Sequence, residues 1–259
     1  MDEVKGLLID VDGTLCLGDK VIPGTPDIID RVKKSKIPFL ILSNNSSMSS
    51  SEYLEKLHRM GFKLEKKDVL TATQATIYYL KEKYSNFRIM PLGMQGFVDE
   101  LKESGINIVD SSPDIVLLAY DKTINFEKLN MASHYIKKGS IFLATHPDVL
   151  CNSAEGYDID IGAFIMILEE STGVKATIIG KPEKTMAYLS MKILDVPLKN
   201  MVVIGDRFYT DIAFAKNNGM QSALVLSGEA TMNDLEKINY KPDYIINSIL
   251  DLDEIIEIK

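Results

Sequence analysis

Gly6-Leu7-Leu8-Ile9-Asp10-Val11-Asp12-Gly13-Thr14 is the stretch that decides the fold. Gly6 to Ile9 is an apolar run with the length of a short strand buried on both faces. Asp10 and Asp12 then stand at its carboxyl end, the edge where open α/β sheets place their ligands. Paired acids can divide labour there, one ionised as a nucleophile and one protonated as a proton donor. Gly13 lets the chain turn sharply behind them. Taken alone, the fragment reads equally as a turn, because Asp-Gly is a common turn dipeptide. A calcium loop fits poorly, since Thr14 and Val21 stand where an EF-hand needs an oxygen-rich side chain and its terminal Glu.

Three distant segments extend the pattern. The apolar run Ile37 to Leu42 ends in Ser43-Asn44-Asn45, and Thr177-Ile178-Ile179 ends in Gly180-Lys181-Pro182. Met201 to Ile204 ends in Gly205-Asp206-Arg207-Phe208-Tyr209-Thr210-Asp211. Four strand ends thus offer, in order, two acids, a hydroxyl with amides, a lysine and two more acids. That order resembles the haloacid dehalogenase superfamily of phosphohydrolases. The phrases SNNSS (43–47), ATHPD (144–148), GKPEKTM (180–186), GDRFYTDI (205–212) and LVLSGE (224–229) resemble its p-nitrophenylphosphatase and nucleotide-monophosphatase branch. The likeness covers nearly the whole chain, and the four motifs together are specific where any one alone is weak.

The resemblance implies a role for each residue. Asp10 is the expected nucleophile, forming an aspartyl-phosphate, and Asp12 the acid that protonates the leaving oxygen and later deprotonates water. Asp10, Asp206 and the Asp12 main-chain carbonyl are the expected Mg²⁺ ligands, a hard-oxygen set of the kind that ion prefers. Asp211 either orients its neighbours or binds the metal, and Thr210-Asp211 also reads as a cap for the helix after it. Ser43 and Asn44 are expected on the phosphoryl oxygens, and Lys181 on the charge developing there. With Asp10, Asp12, Asp206 and Asp211 around a phosphate monoester, one lysine and one Mg²⁺ leave an excess of negative charge. Some carboxylate should therefore carry a proton, and the family role gives it to Asp12. Without this context each Asp is a turn or cap residue and Lys181 a solvated surface charge. Asp160, within Asp158 to Gly162, is the expected substrate contact in an inserted domain. His146 stands where the branch usually shows Asn, so its role does not carry over. His58 and His134 sit in helical patterns without partner spacing, and no zinc site is visible.

The remaining features bound the reading. With 259 residues, 46% apolar and 25% charged, the chain can bury a sizeable core and build one large or two modest domains. A net charge of −8 and a pI near 5.0 argue against nucleic-acid partners and anionic membranes. Phosphate must then be drawn by a local cation. No stretch approaches the roughly 20 apolar residues of a membrane span, and Met1-Asp2-Glu3 lacks the basic start of a signal peptide. Cys16 and Cys151 read as free thiols, and a cytoplasmic location follows.

Strands alternate with helices from the start, which predicts a doubly wound parallel sheet, the α/β Rossmann-like core of that superfamily. Thr25 is expected as an N-cap with Pro26 first in its helix. A helix carrying Tyr53, Leu54, Leu57 and Met60 should stop at Gly61. Between Ser43 and Lys181 lie more residues than a crossover needs. Runs at Phe87–Met90, Ile106–Val109, Ile115–Ala119 and Ile141–Ala144 predict strands, and Gly96–Glu103, Phe126–Lys137 and Ala163–Thr172 predict helices. The resulting division is a core of 1–80 and 177–259 with an inserted α+β cap of 81–176. The expected function is a Mg²⁺-dependent phosphomonoesterase for a small phosphorylated metabolite, a sugar phosphate or nucleoside monophosphate. A phosphotransferase or mutase, or a receiver-like phosphate-accepting module, are the alternatives. A dehalogenase needs no proton-donating acid at Asp12.

Overall fold

A computed structural model describes residues 3–153, 156–236 and 240–258. The chain runs β1 (Gly6–Asp10), the hairpin β2 (Cys16–Leu17) and β3 (Lys20–Val21), α1 (Thr25–Ser35), β4 (Phe39–Ser43), α2 (Ser50–Arg59), β5 (Val69–Thr71) and α3 (Ala72–Lys83). It continues through β6 (Ile89–Leu92), α4 (Gln95–Glu103), β7 (Ile115–Leu118), α5 (Phe126–Lys137), β8 (Ile141–Ala144), β9 (Leu150–Ser153), β10 (Gly156–Ile159) and α6 (Ile161–Thr172). Last come β11 (Thr177–Ile178), α7 (Lys184–Leu194), β12 (Met201–Gly205), α8 (Ala213–Asn217), β13 (Gln221–Val225) and β14 (Tyr244–Ile246).

Six strands form one parallel sheet in the order β14-β13-β12-β1-β4-β5. β1 lies in the middle, buried along its whole length. Its side chains alternate between two cores, as the period of a strand requires. Leu7 and Ile9 pack with Ile28, Ile29, Tyr53 and Leu57 of α1 and α2. Leu8 packs on the other face with Ala75 and Leu80 of α3 and Met186 and Ala187 of α7. Helices on both faces define the doubly wound α/β arrangement predicted above. The strand order reverses between β1 and β12, and both acids of the opening motif end up beside that crevice at the carboxyl end of β1.

A second parallel sheet has the order β11-β8-β7-β6. Val116, Leu118 and Phe142 pack against Ala132 and Ile136 of α5 and Ile161, Ile165 and Leu168 of α6. Its opposite face, with Ile115, Leu117 and Leu143, joins the same core cluster as Leu8 and Leu42 of the first sheet. β9 and β10 form an antiparallel hairpin beside it.

Local chemistry sets the helix starts. Ser49 caps α2 in a reciprocal box with Glu52, and Gly61 ends that region at φ 93°. The expected N-cap at Thr25 shifts by one residue. Gly24 takes the cap with φ 89°, and Thr25 lies inside the first turn, its hydroxyl donating to the Leu15 and Ile22 carbonyls. Two strand expectations change as well. Thr177–Ile178 pairs with Leu143–Ala144 in the second sheet and not with the strands that carry the acids. Ile106–Val109 reduces to a single bridge between Ile89 and Ile108. β5, which sequence periodicity did not reveal, occupies an edge of the first sheet.

Candidate active site

The four motif segments converge although they leave different sheets. Asp10 ends β1, and Lys181 follows β11. Lys181 Nζ donates to Asp10 Oδ1 at 2.5 Å and to Asp211 Oδ1 at 2.7 Å. The lysine is 2% exposed. Burial opposes its charge, but Asp10 and Asp211 outweigh that and raise its pKa. It is a fixed ammonium, not a surface charge.

Asp206 is completely buried at the end of β12. Its Oδ2 accepts from the Glu229 amide at 2.7 Å, while Oδ1 has no hydrogen-bond partner among the described residues. Two glycines make room for it. A Cβ on Gly13, whose φ is 91°, or on Gly228 would lie 2.1 Å from Asp206 Oδ2. Oxygens of Asp10, Asp206 and Asp211 lie within 4.8 Å of one another. Burial, then the neighbouring acid Asp211, raises the Asp206 carboxyl to about 7, and the same two causes push Asp10 well up, against the pull of Lys181. An orphaned buried oxygen inside an all-oxygen cluster of mutually repelling acids fits a hard divalent cation, and Mg²⁺ above softer metals.

Asp211 spends both oxygens, one on Lys181 and one on the Arg207 amide at 3.2 Å. The Thr210-Asp211 cap expected from the sequence is absent. Phe208–Ile212 form a wide π-type turn, and Thr210 donates instead to Asp148 Oδ1 at 3.3 Å. Asp12 sits past the strand end, where burial raises its pKa above that of an ordinary Asp. Ser43 is buried, and its oxygen accepts from the Tyr53 hydroxyl at 2.9 Å and the Asn45 amide at 3.1 Å. Both lone pairs are used, so its own proton is available to an acceptor in the cavity.

The side chain of Asn44 does not match its expected place on the phosphoryl group. Its Oδ1 accepts from the Lys181 amide at 2.9 Å, and its Nδ2 donates to the Lys181 carbonyl at 3.1 Å and to Asp148 Oδ2 at 3.0 Å. The amide is consumed in holding Lys181. Asp148, unassigned from sequence, is the hub of this network. Burial alone would raise it, but His146 and Asn44 hold it down at about 2. Asp160 caps α6, accepting from the Ile161 amide at 2.6 Å.

A cavity of about 560 Å³ joins these residues. Asp10, Asp12 and Ser43 reach it from the first sheet, and Lys181, Tyr120, His146 and Asp160 from the second-sheet region. Ser46 stitches the sides together, accepting from the Thr145 hydroxyl at 2.9 Å and the Tyr120 amide at 3.1 Å.

Comparison with known proteins agrees with this geometry. The sequence profile described as haloacid dehalogenase-like hydrolase matches residues 7–107, and a HAD-hydrolase-like profile matches residues 178–252. The chain belongs to the haloacid dehalogenase-like hydrolase family. Within it the chain is a phosphatase, 33% identical over 257 residues to an acid sugar phosphatase of Staphylococcus aureus, with 99% of this chain and 98% of the relative covered. The acid sugar phosphatase of Staphylococcus haemolyticus is 32% identical over 245 residues, covering 94% and 93%. Among solved structures, a 4-nitrophenylphosphatase from Thermotoga maritima superposes with a TM-score of 0.92 at 34% identity, covering 97% of each chain. A p-nitrophenyl phosphatase from Archaeoglobus fulgidus gives 0.91 at 29% identity, covering 98% and 99%.

Proposed function

We propose that the protein is a Mg²⁺-dependent phosphomonoester hydrolase for a small phosphorylated metabolite, with a sugar phosphate favoured by the curated relatives, acting through an aspartyl-phosphate on Asp10. The observation that carries this reading is the buried Lys181 ammonium between Asp10 and Asp211, beside the orphaned oxygen of Asp206.

Asp10 attacks phosphorus with one carboxylate oxygen as the bond to the leaving oxygen breaks. Asp12, whose protonated form burial favours, gives its proton to that oxygen. A water then attacks the aspartyl-phosphate, Asp12 takes its proton, and phosphate and Asp10 are regenerated. Ser43 donates its free proton to a phosphoryl oxygen, and Lys181 offsets the charge that builds there. Asp10 and Asp206, with the Asp12 carbonyl, would hold the Mg²⁺, whereas Asp211 orients Lys181. When bound, the ion supplies Lewis-acid neutralisation of phosphoryl charge. The second sheet, with its hairpin and helices, serves as the inserted cap that contacts the leaving group. The free thiols Cys16 and Cys151 support action in the cytoplasm. Among the described residues no helix is long and apolar enough to cross a membrane.

The test is turnover of p-nitrophenyl phosphate with Mg²⁺. Many turnovers per protein, abolished by EDTA and restored by added Mg²⁺, are expected. A single stoichiometric release would indicate a phosphate acceptor instead of a hydrolase.

A further inference from the structure

His146 follows β8, the strand paired with β11, and lines the same cavity as Ser43 and Lys181. Its side chain is 3% exposed. Nδ1 faces Asp148 Oδ2 at 3.4 Å and Nε2 faces Asp160 Oδ1 at 3.8 Å. Neither contact is a hydrogen bond. Nδ1 has no hydrogen-bond partner among the described residues, only the charge contact with Asp148, and 3.8 Å lies beyond hydrogen-bond reach. A polar ring this deeply buried is normally satisfied, and with no hydrogen bond reaching Nε2 from Asp160 across the cavity wall, that nitrogen is free for a ligand atom.

The group opposite is complementary. The Ile161 amide is the one hydrogen-bond donor to the Asp160 carboxylate among the described residues, and Asp160 lines the same cavity. Asp148 is committed to Asn44 and Thr210. Asp160 is therefore the acid with acceptor capacity to spare. The 3.8 Å gap between Nε2 and Asp160 Oδ1 is one that a single hydroxyl oxygen can bridge, accepting from the ring N–H and donating to the carboxylate at about 2.8 Å each. Burial opposes a charge on His146, but Asp160 and Asp148 outweigh it and raise its pKa, which favours a donor at Nε2.

We propose that His146 Nε2 and Asp160 together bind one hydroxyl of a polyhydroxylated leaving group, a sugar or polyol, and thereby set the choice among phosphate esters. The proposal rests on the phosphatase reading and extends it to the leaving group. With Asp10, Ser43 and Lys181 assigned to the phosphoryl group, His146 and Asp160 are among the groups left in the same cavity for its ester substituent.

The experiment measures kcat/KM of wild type, His146→Ala and His146→Gln with Mg²⁺. The substrates are glucose 6-phosphate, its 2-, 3- and 4-deoxy analogues, and p-nitrophenyl phosphate. Wild type is expected to disfavour one deoxy analogue by about ten- to a hundredfold. His146→Ala should lose a similar factor on the parent sugar and no longer respond to that deoxygenation. His146→Gln, which keeps an N–H donor, should recover part of the discrimination, and it carries the test if the alanine variant does not fold. Equal discrimination in wild type and variants, no discrimination in wild type, or an equal fall on the sugar ester and p-nitrophenyl phosphate overturns the proposal and leaves the phosphatase reading intact. Turnover of p-nitrophenyl phosphate but of no sugar ester does the same. Turnover of neither, with Mg²⁺ present, overturns both.

Discussion

Asn44 and Lys181, 137 residues apart, are clasped by a pair of hydrogen bonds in which one side-chain amide meets both main-chain groups of the lysine, at 2.9 and 3.1 Å. The pairing imitates one rung of a sheet, made by a side chain where no strand partner exists. It fixes the backbone from which the Lys181 ammonium projects.

Asn44→Ala should therefore act through Lys181. Losing these buried bonds is expected to cost about 2–4 kcal/mol of stability and to lower kcat on p-nitrophenyl phosphate by about tenfold or more, with a smaller change in KM. Urea unfolding and steady-state kinetics check it. Unchanged kcat would mean that Lys181 needs no such support.

Asp148→Asn tests the hub beside that clasp. The folded-state pKa of about 2 lies below the ordinary 3.8. The sign for a depressed acid is stability present above about pH 4 and lost as pH falls through about 2. The charge effect amounts to about 2 kcal/mol. At pH 7 the variant should unfold at lower urea than wild type, and the two should converge as pH approaches 2. A gap that stays constant with pH would assign the loss to packing alone.

Asp10→Asn keeps the size of the side chain and removes the charge of the proposed nucleophile together with a proposed metal-binding oxygen. Turnover should fall by about 10³-fold or more. Pure variant retaining a tenth of wild-type turnover would sink the covalent mechanism.

Asp12→Asn separates the acid from the nucleophile. Nitrophenolate leaves with little protonation, whereas a sugar alkoxide needs a proton. The variant should lose more on glucose 6-phosphate than on p-nitrophenyl phosphate, and beryllofluoride should still load Asp10. Equal losses on both esters would make Asp12 a shaping residue for the metal site.

Mg²⁺ should raise the melting temperature most at neutral pH. Asp206, raised to about 7 by burial and by Asp211, and Asp10, raised likewise, are acids whose ionised forms the metal-free fold disfavours. Their contribution to stability is present below the unfolded value near 4 and lost as pH rises through about 7. A bound cation offsets that loss. Saturating Mg²⁺ should add about 5 °C at pH 7.5 and clearly less at pH 5. An equal gain at both pH values would place the ion away from these acids.

Much of this site was legible because its pieces are local. Asp10 and Asp12 follow an apolar run, and Asp206 and Asp211 follow another, so strand-end placement could be read from the run alone. What a run cannot encode is its partner. Thr177–Ile178 is as apolar as a strand of the first sheet, yet it joins the second. β5 is only three residues long and too short for periodicity, although Thr71 and Gln74 form a reciprocal capping box that marks the helix start behind it. The use of Asn44, Asp148 and Thr210 depends on hydrogen bonds spanning 62 to 137 residues. A single sequence shows the donors and acceptors there but not their pairing. His146 likewise reads in the sequence only as a departure from a pattern, because its 3.8 Å approach to Asp160 exists only in the fold.

The peptide joining Gly180 to Lys181 is gripped from both sides, since the Gly180 amide donates to the Thr145 carbonyl of the second sheet at 2.8 Å and the Lys181 amide to Asn44 of the first at 2.9 Å. Any tilt of one sheet against the other that preserves both bonds must turn about this point, and points on an axle travel least. Parts of the second-sheet region farther from that point would sweep through an arc as the substrate enters. The ammonium, mounted on the axle, would keep its bearing on Asp10 throughout the swing.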